Sequence, residues 1–130
     1  MVGSIRRFED LIAWQRAREL PRQVYAATKD GAFARDIRLS SQIQSAAVFV
    51  MSNVAEGFER TSQAEFSQFL SVAKASCAEV RSQLYVALDA GYMDEAGFKN
   101  LYGLADEVAR LLAGLRASVD RQRWISPGSK

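Results

Sequence analysis

The sequence predicts an all-α protein, an antiparallel four-helix bundle whose helices run up, down, up and down. Period-two alternation of apolar and polar residues, the pattern of a half-buried strand, is absent. Only two prolines occur, Pro21 and Pro127. Four segments repeat apolar residues at steps of three and four, and short loops between such helices favour antiparallel neighbours.

The first helix is expected from about Phe8 to Lys29, ending at the glycine of the sequence KDG. Pro21 lies inside this segment. Because proline cannot donate a backbone hydrogen bond, we expect a kink there. The apolar stripe consists of Leu11, Trp14, Ala17, Leu20, Val24 and Ala27.

The second helix is expected from near Asp36 to near Gly57, and the third begins at SQAE, residues 62–65. That sequence is a capping box, in which Ser62 and Glu65 each accept from the other's amide. Gly91 is placed to end the third helix in the left-handed conformation. The third helix has a heptad seam: Phe66, Leu70, Ala73, Cys77, Val80, Leu84, Ala87 and Gly91.

Asp94 is the expected N-cap of the fourth helix, whose stripe runs to Val119. Residues 1–120 therefore form a single predicted domain. The sequence after Asp120 loses the periodicity, and residues 121–130 are expected to be a flexible tail.

Composition limits the chemistry. The chain of 130 residues has 48% hydrophobic and 25% charged residues, as in ordinary globular proteins, and no apolar run approaches the ~20 residues of a membrane span. A single cysteine, Cys77, fits a reducing cytoplasm. The absence of histidine makes a zinc site improbable and removes the commonest general base. We expect a cytoplasmic protein with no cofactor, no metal and no membrane contact.

Polar residues interrupt the second helix at Ser52, Asn53 and Glu56, just before Gly57. Counting by fours and threes places Asn53 on the core seam, where one asparagine can set helix register. Catalysis is poorly supported, because no histidine or lysine lies nearby to activate a serine. We expect a buried polar network that closes the bundle, with a subunit interface or a ligand pocket as the alternatives.

Charge is distributed unevenly along the chain. Residues 1–40 contain 8 basic and 5 acidic side chains, residues 41–100 contain 4 and 7, and residues 101–130 contain 5 and 3. In an up-down bundle the first and fourth helices are neighbours, so their cations could share a nucleic-acid surface, with Trp124 stacking on a base. The candidate contacts are Arg6, Arg7, Arg16, Arg18, Arg22, Arg116, Arg121, Arg123 and Trp124.

Three motifs carry a family resemblance: SNVAEG at residues 52–57, S..EF..FL at 62–70, and E...QL..A...GY at 79–92. With the first helix they resemble the bacterial four helix bundle proteins encoded in intervening sequences of ribosomal RNA genes. The resemblance spans roughly residues 8–119. Two positions depart from the family pattern. Met51 stands where a proline is usual, and Pro21 is unusual, so both bear on helix curvature.

The resemblance implies a ring of five identical subunits and no enzymatic activity. It also implies kinship with the accessory variability determinant of diversity-generating retroelements, a pentamer that binds a reverse transcriptase and nucleic acid. Possible partners are therefore further copies of the chain, an RNA or ribonucleoprotein, and a reverse-transcriptase-like protein.

Three functions remain open at this point. The favoured one is a non-enzymatic oligomeric scaffold or accessory protein acting through protein contacts, for which Phe49, Phe69 and Tyr102 lie beside the main seams. The alternative is an RNA-binding accessory protein that uses the basic residues of the first helix and the C-terminus. An enzyme or small-ligand binder is the least supported.

Overall fold

A computed structural model describes residues 5–121. Within this range all regular structure is helical, and no strand occurs. The α-helices are α1 (Ile12–Ala17), α2 (Glu19–Ala27), α3 (Gly31–Arg35), α4 (Ile37–Phe58), α5 (Gln63–Asp89) and α6 (Glu95–Asp120). The all-α prediction is confirmed.

The expected first helix is divided into pieces. It opens with a 3-10 turn at Phe8–Asp10, after which Leu11 is extended with φ −75° and ψ 126°. A turn at Arg18 then separates α1 from α2. Pro21 explains this break, because it has no N–H for the Ala17 carbonyl and its ring crowds that carbonyl. Since Pro21 falls in the first turn of α2, that helix tolerates it.

The connection between α2 and α4 contains a short helix that the periodicity did not predict. Gly31 begins α3 with a left-handed φ of 75°. Asp36 then caps α4, its carboxylate accepting from the Leu39 amide at 3.1 Å. The start of the second long helix thus lies where its capping residue predicted.

The ends of α5 follow local sequence chemistry. Ser62 Oγ accepts from the Glu65 amide at 3.2 Å, which is one half of the predicted capping box, while the Glu65 side chain is exposed. At the other end Gly91 has φ 78°. Its amide donates to Leu88 and the Tyr92 amide donates to Ala87, which is a Schellman motif. Asp94 caps α6 through the Gly97 amide at 2.8 Å, as predicted.

Neighbouring helices run antiparallel. α4 packs along α5 and α5 along α6, while α1 and α2 lie against both α4 and α6. Ser67 near the start of α5 contacts Arg116 near the end of α6, and Tyr85 near the end of α5 contacts Phe98 near the start of α6. The two helices therefore run in opposite directions. Taken together, α1 and α2 occupy the place of the first helix in the predicted up-down order.

One hydrophobic core joins these helices. The α5 seam from Phe66 to Ala87 is buried at every predicted position, including Cys77. Gly91 is exposed and serves the helix end instead. In the part of the chain that the structure describes, no helix combines the length and the apolar character that crossing a membrane requires.

Candidate functional site

The polar residues of α4 do not form the expected buried network. Asn53 is half-buried, and its Nδ2 donates to the Phe49 carbonyl of its own helix at 2.7 Å. Ser52 is half-buried, and Glu56 is exposed. The seam count placed Asn53 on the core seam, whereas its side chain is only partly covered. The hydrogen bond of this side chain is thus made to the backbone of its own helix.

Gly57 has a packing role that its expected place in a loop did not indicate. It is buried and helical, one residue before the end of α4. A Cβ at this position would lie 2.7 Å from Phe69 Cβ and 3.0 Å from Phe66 Cδ1. The missing side chain therefore lets α5 approach α4 closely where the two helices begin to diverge into their connection.

Arg16 is held by an acid of the neighbouring helix. Its Nε and Nη2 donate to both carboxylate oxygens of Glu107 on α6, at 3.1 and 2.9 Å. This bidentate pair lowers the pKa of Glu107 and raises that of Arg16. Arg16 thus links α1 to α6, and two of its guanidinium nitrogens, Nε and Nη2, already donate to Glu107.

The other predicted cations are spread over the molecule. Arg22 pairs with Glu19 at 2.8 Å, Arg7 lies 3.8 Å from Glu9, and the Arg18 guanidinium lies 5.9 Å from the Trp14 ring centre. Arg116 extends away from α1 and donates to Ser67 on α5 at 3.0 Å. Arg6 and Arg121 are exposed, and Arg123 and Trp124 lie outside the described residues. Of the described arginines, Arg16 is bonded to α6 and Arg116 to α5, so these two cations are directed to different helices.

Large apolar side chains are exposed on the surface. Phe49 on α4 is 56% exposed, and Val72 on α5 is also exposed. Phe69, against Gly57, is half-buried, and the Arg60 guanidinium lies 4.9 Å from its ring centre. We call Phe49, Phe69 and Val72 the α4/α5 face.

Phe49 lies within an unusual stretch of α4. Between Arg38 and Glu56 no residue is charged, although Ser41, Gln42, Ser45 and Phe49 are exposed. An exposed helix face normally carries charges, so the run is a sequence signal that could have been noticed before the structure. Depletion of charge with an exposed aromatic is typical of the centre of a protein interface.

The pattern of the whole chain has a counterpart among known proteins. The family model described as 23S rRNA-intervening sequence protein matches residues 9–114. The chain belongs to that family. The matched range runs from the opening turn through most of α6 and includes the polar positions of α4 and Gly57.

A solved structure shares the fold. It is a crystal structure of a protein with unknown function from the S23 ribosomal protein family of Bacteroides thetaiotaomicron VPI-5482. The sequences are 17% identical, the TM-score is 0.70, and the match covers 81% of this chain and 98% of that chain. Comparison with curated proteins gave no match.

For this member of the 23S rRNA-intervening sequence protein family, the described residues contain no cluster of three or more acidic or cysteine side chains that could hold a metal ion. The shallow depression beside Glu56 is lined by Phe8, Ala55, Glu59 and Arg60. It lies open on the surface, at the end of the bundle where the 3-10 turn meets α4. Of the α4/α5 face, Phe49 and Phe69 were singled out from the sequence, whereas Val72 was not.

Proposed function

We propose that the protein is a non-enzymatic scaffold that assembles with copies of itself and acts through protein contacts. The observation that carries this proposal is the uncharged stretch of α4 with Phe49 exposed upon it. Water contact of a phenylalanine ring on a surface is unfavourable, and burying it against a second protein removes that contact.

The composition of the face supports association rather than catalysis. The polar residues near Phe49 on α4, Ser45, Ser52 and Asn53, are uncharged, so covering them involves no desolvation of an ion. Gly57 lets the half-buried ring of Phe69 pack close to α4. Surfaces with exposed aromatic rings and few charges are suited to large partners rather than to small substrates.

A ring of five subunits, which the family resemblance implies, is the assembly that we propose. The arginines of α1 and α2 give less support to an RNA surface on the first helix, because Arg16 and Arg22 already have carboxylate partners. That alternative would need those ion pairs to break on binding.

The experiment compares the mass in solution of the wild type and of Phe49→Glu by sedimentation velocity and light scattering. The wild type is expected near five times the 14.4 kDa chain mass. Phe49→Glu places a charge at the centre of the face and is expected to dissociate the assembly. Circular dichroism should remain unchanged, because Phe49 is outside the core.

Tyr25→Glu is the matched control. Tyr25 on α2 is 51% exposed, so the same charge is introduced at an equally accessible aromatic position away from the face. Its assembly should equal that of the wild type. A monomeric wild type at high concentration, or equal dissociation of both variants, would rule out self-assembly through this face.

A further inference from the structure

A basic groove runs between α5 and α6, on the side of α6 that faces away from Arg16. Its lining consists of Ser71, Lys74, Ala75, Ala78 and Arg81 from α5, with Arg116 from α6. We call this the α5/α6 groove. Of its cations only Arg116 was singled out from the sequence, because Lys74 and Arg81 lie in the acidic middle of the chain.

The groove combines small residues with regularly spaced cations. Ser71, Ala75 and Ala78 leave the surface of α5 accessible along about two turns. Lys74 and Arg81 are seven residues apart on the same helix, which corresponds to about 10 Å. Arg116 reaches across from α6, with its Nε 3.0 Å from Ser67 Oγ. The cations thus follow a line along the groove.

The existing partners of these cations are weak. Arg81 Nη1 is 3.9 Å from Asp106, which is also 3.0 Å from Arg110. Arg116 Nε is 3.7 Å from Asp120. Partly exposed pairs at these distances contribute little to stability, so little is lost when the cations bind another anion instead. In residues 5–121 no carboxylate forms an ion pair with Lys74.

An aromatic cluster continues the groove. The ring of Tyr85 lies 4.9 Å from that of Phe98 and 5.7 Å from that of Tyr102, measured between centroids. Arg81 links the two features, because its guanidinium lines the groove and lies 5.9 Å from the Tyr102 centroid. Tyr85 is 50% exposed although its ring contacts two other rings. Part of this aromatic cluster is therefore in contact with solvent.

We propose that the α5/α6 groove binds single-stranded nucleic acid. Lys74, Arg81 and Arg116 contact successive phosphates, and a base stacks on Tyr85. A line of cations alone would suit any polyanion, including an acidic polypeptide. The exposed ring at the end of the line favours a strand whose every unit has both a phosphate and a flat base.

The test measures fluorescence anisotropy of a labelled oligouridine of about 12 nucleotides, a length within the site sizes of such grooves. Affinity is recorded from about 50 to 200 mM salt. Three phosphate contacts predict that log affinity falls with log salt with a slope of about −2. A wild type that does not bind at the lowest salt would overturn the proposal.

Lys74→Gln removes one cation without a contact that holds the fold. We expect weaker binding and a slope smaller in magnitude by about 0.7. Lys29→Gln is the matched control, since it makes the same change of net charge at an exposed position after α2. Equal losses in the two variants would mean that net charge alone drives binding, and would overturn the assignment to this groove.

Tyr85→Ala removes the stacking surface, and we expect binding weaker by about 5- to 150-fold with an unchanged salt slope. Tyr85→Phe keeps the ring and should bind as the wild type does. Tyr25→Ala, at the similarly exposed tyrosine of α2, should also leave affinity unchanged. An unaltered affinity of Tyr85→Ala would contradict base stacking at this site.

Competition distinguishes the strand from an acidic protein segment. Polyglutamate at equal charge should displace oligouridine poorly, and displacement as effective as by unlabelled oligouridine would contradict the proposal in favour of an acidic polypeptide. Because the groove and the α4/α5 face share no residue, Phe49→Glu should retain oligouridine binding whether or not it dissociates the assembly.

Discussion

At the scale of single residues, Gly57 illustrates how an absent side chain can determine packing. A glycine inside a helix costs about 1 kcal/mol relative to alanine. At Gly57 this cost is offset by the contact with Phe66 and Phe69, which a Cβ would obstruct at 3.0 and 2.7 Å. In α6, Gly103 and Gly114 have no atom within 4 Å of such a Cβ. The same residue type therefore has opposite effects on stability in the two helices.

Gly57→Ala is accordingly expected to lower the free energy of unfolding by about 1–3 kcal/mol, since overpacking outweighs the gain in helix propensity. Gly103→Ala should raise it by about 0.5–1 kcal/mol. Urea denaturation of both variants measures these changes. Stabilisation by Gly57→Ala would show that α5 moves aside without cost and that the close approach is unimportant.

At the scale of elements, the first helix shows how one proline divides an otherwise continuous stripe. The apolar positions Ala17, Leu20 and Val24 are buried on both sides of the break at Arg18. The apolar stripe alone predicts one continuous helix. Because Pro21 has no N–H, however, the Ala17 carbonyl lacks its usual helical donor and the helix is interrupted. Periodicity indicates which residues face the core, and backbone hydrogen bonding determines where the helix is interrupted.

We expect Pro21→Ala to join α1 and α2, because an amide at position 21 can donate to Ala17. Hydrogen exchange followed by NMR would report this directly as slow exchange of the amide at position 21. Ala26→Gly, at an exposed position late in α2, controls for a general change in helix stability. Rapid exchange at position 21 would mean that the turn at Arg18 is imposed by packing rather than by proline.

At the scale of the whole molecule, Asp36 and Tyr92 join parts of the chain that are 56 residues apart. The Tyr92 hydroxyl donates to Asp36 Oδ2 at 2.9 Å, and its ring stacks on Phe33 with centroids 5.4 Å apart. Asp36 simultaneously caps α4. The bond to the Leu39 amide and then that to Tyr92 hold the pKa of Asp36 below its ordinary value.

This linkage predicts an acid dependence of stability. A carboxyl whose pKa is lower in the folded state stabilises the fold above its unfolded pKa of about 4, and that stability is lost as the pH falls through the folded pKa. Asp36→Asn keeps a capping oxygen but does not titrate, so its loss of stability between about pH 7 and pH 3 should be smaller than that of the wild type. Urea denaturation at both pH values measures the difference, and identical losses would contradict this role of Asp36.

Much of the fold could be predicted because its determinants are local. Ser62, Gly91 and Asp94 set helix ends within a few residues, and the α5 seam depends only on spacing. The site residues could not be placed in the same way. Whether Arg16 is free depends on Glu107, which is 91 positions away. Likewise Lys74 and Arg116 share a groove only because α5 and α6 pack together.

Because Cys77 is buried, its chemical modification can report transient opening of the helix bundle. The thiol is enclosed in the α5 seam, and burial raises its pKa to about 12. Alkylating reagents react with the thiolate, so the closed bundle is protected twice, by exclusion and by protonation. Since the chain has one cysteine, each modified thiol records one molecule whose bundle has opened. The labelling rate therefore reports how often the bundle opens under native conditions, without denaturant.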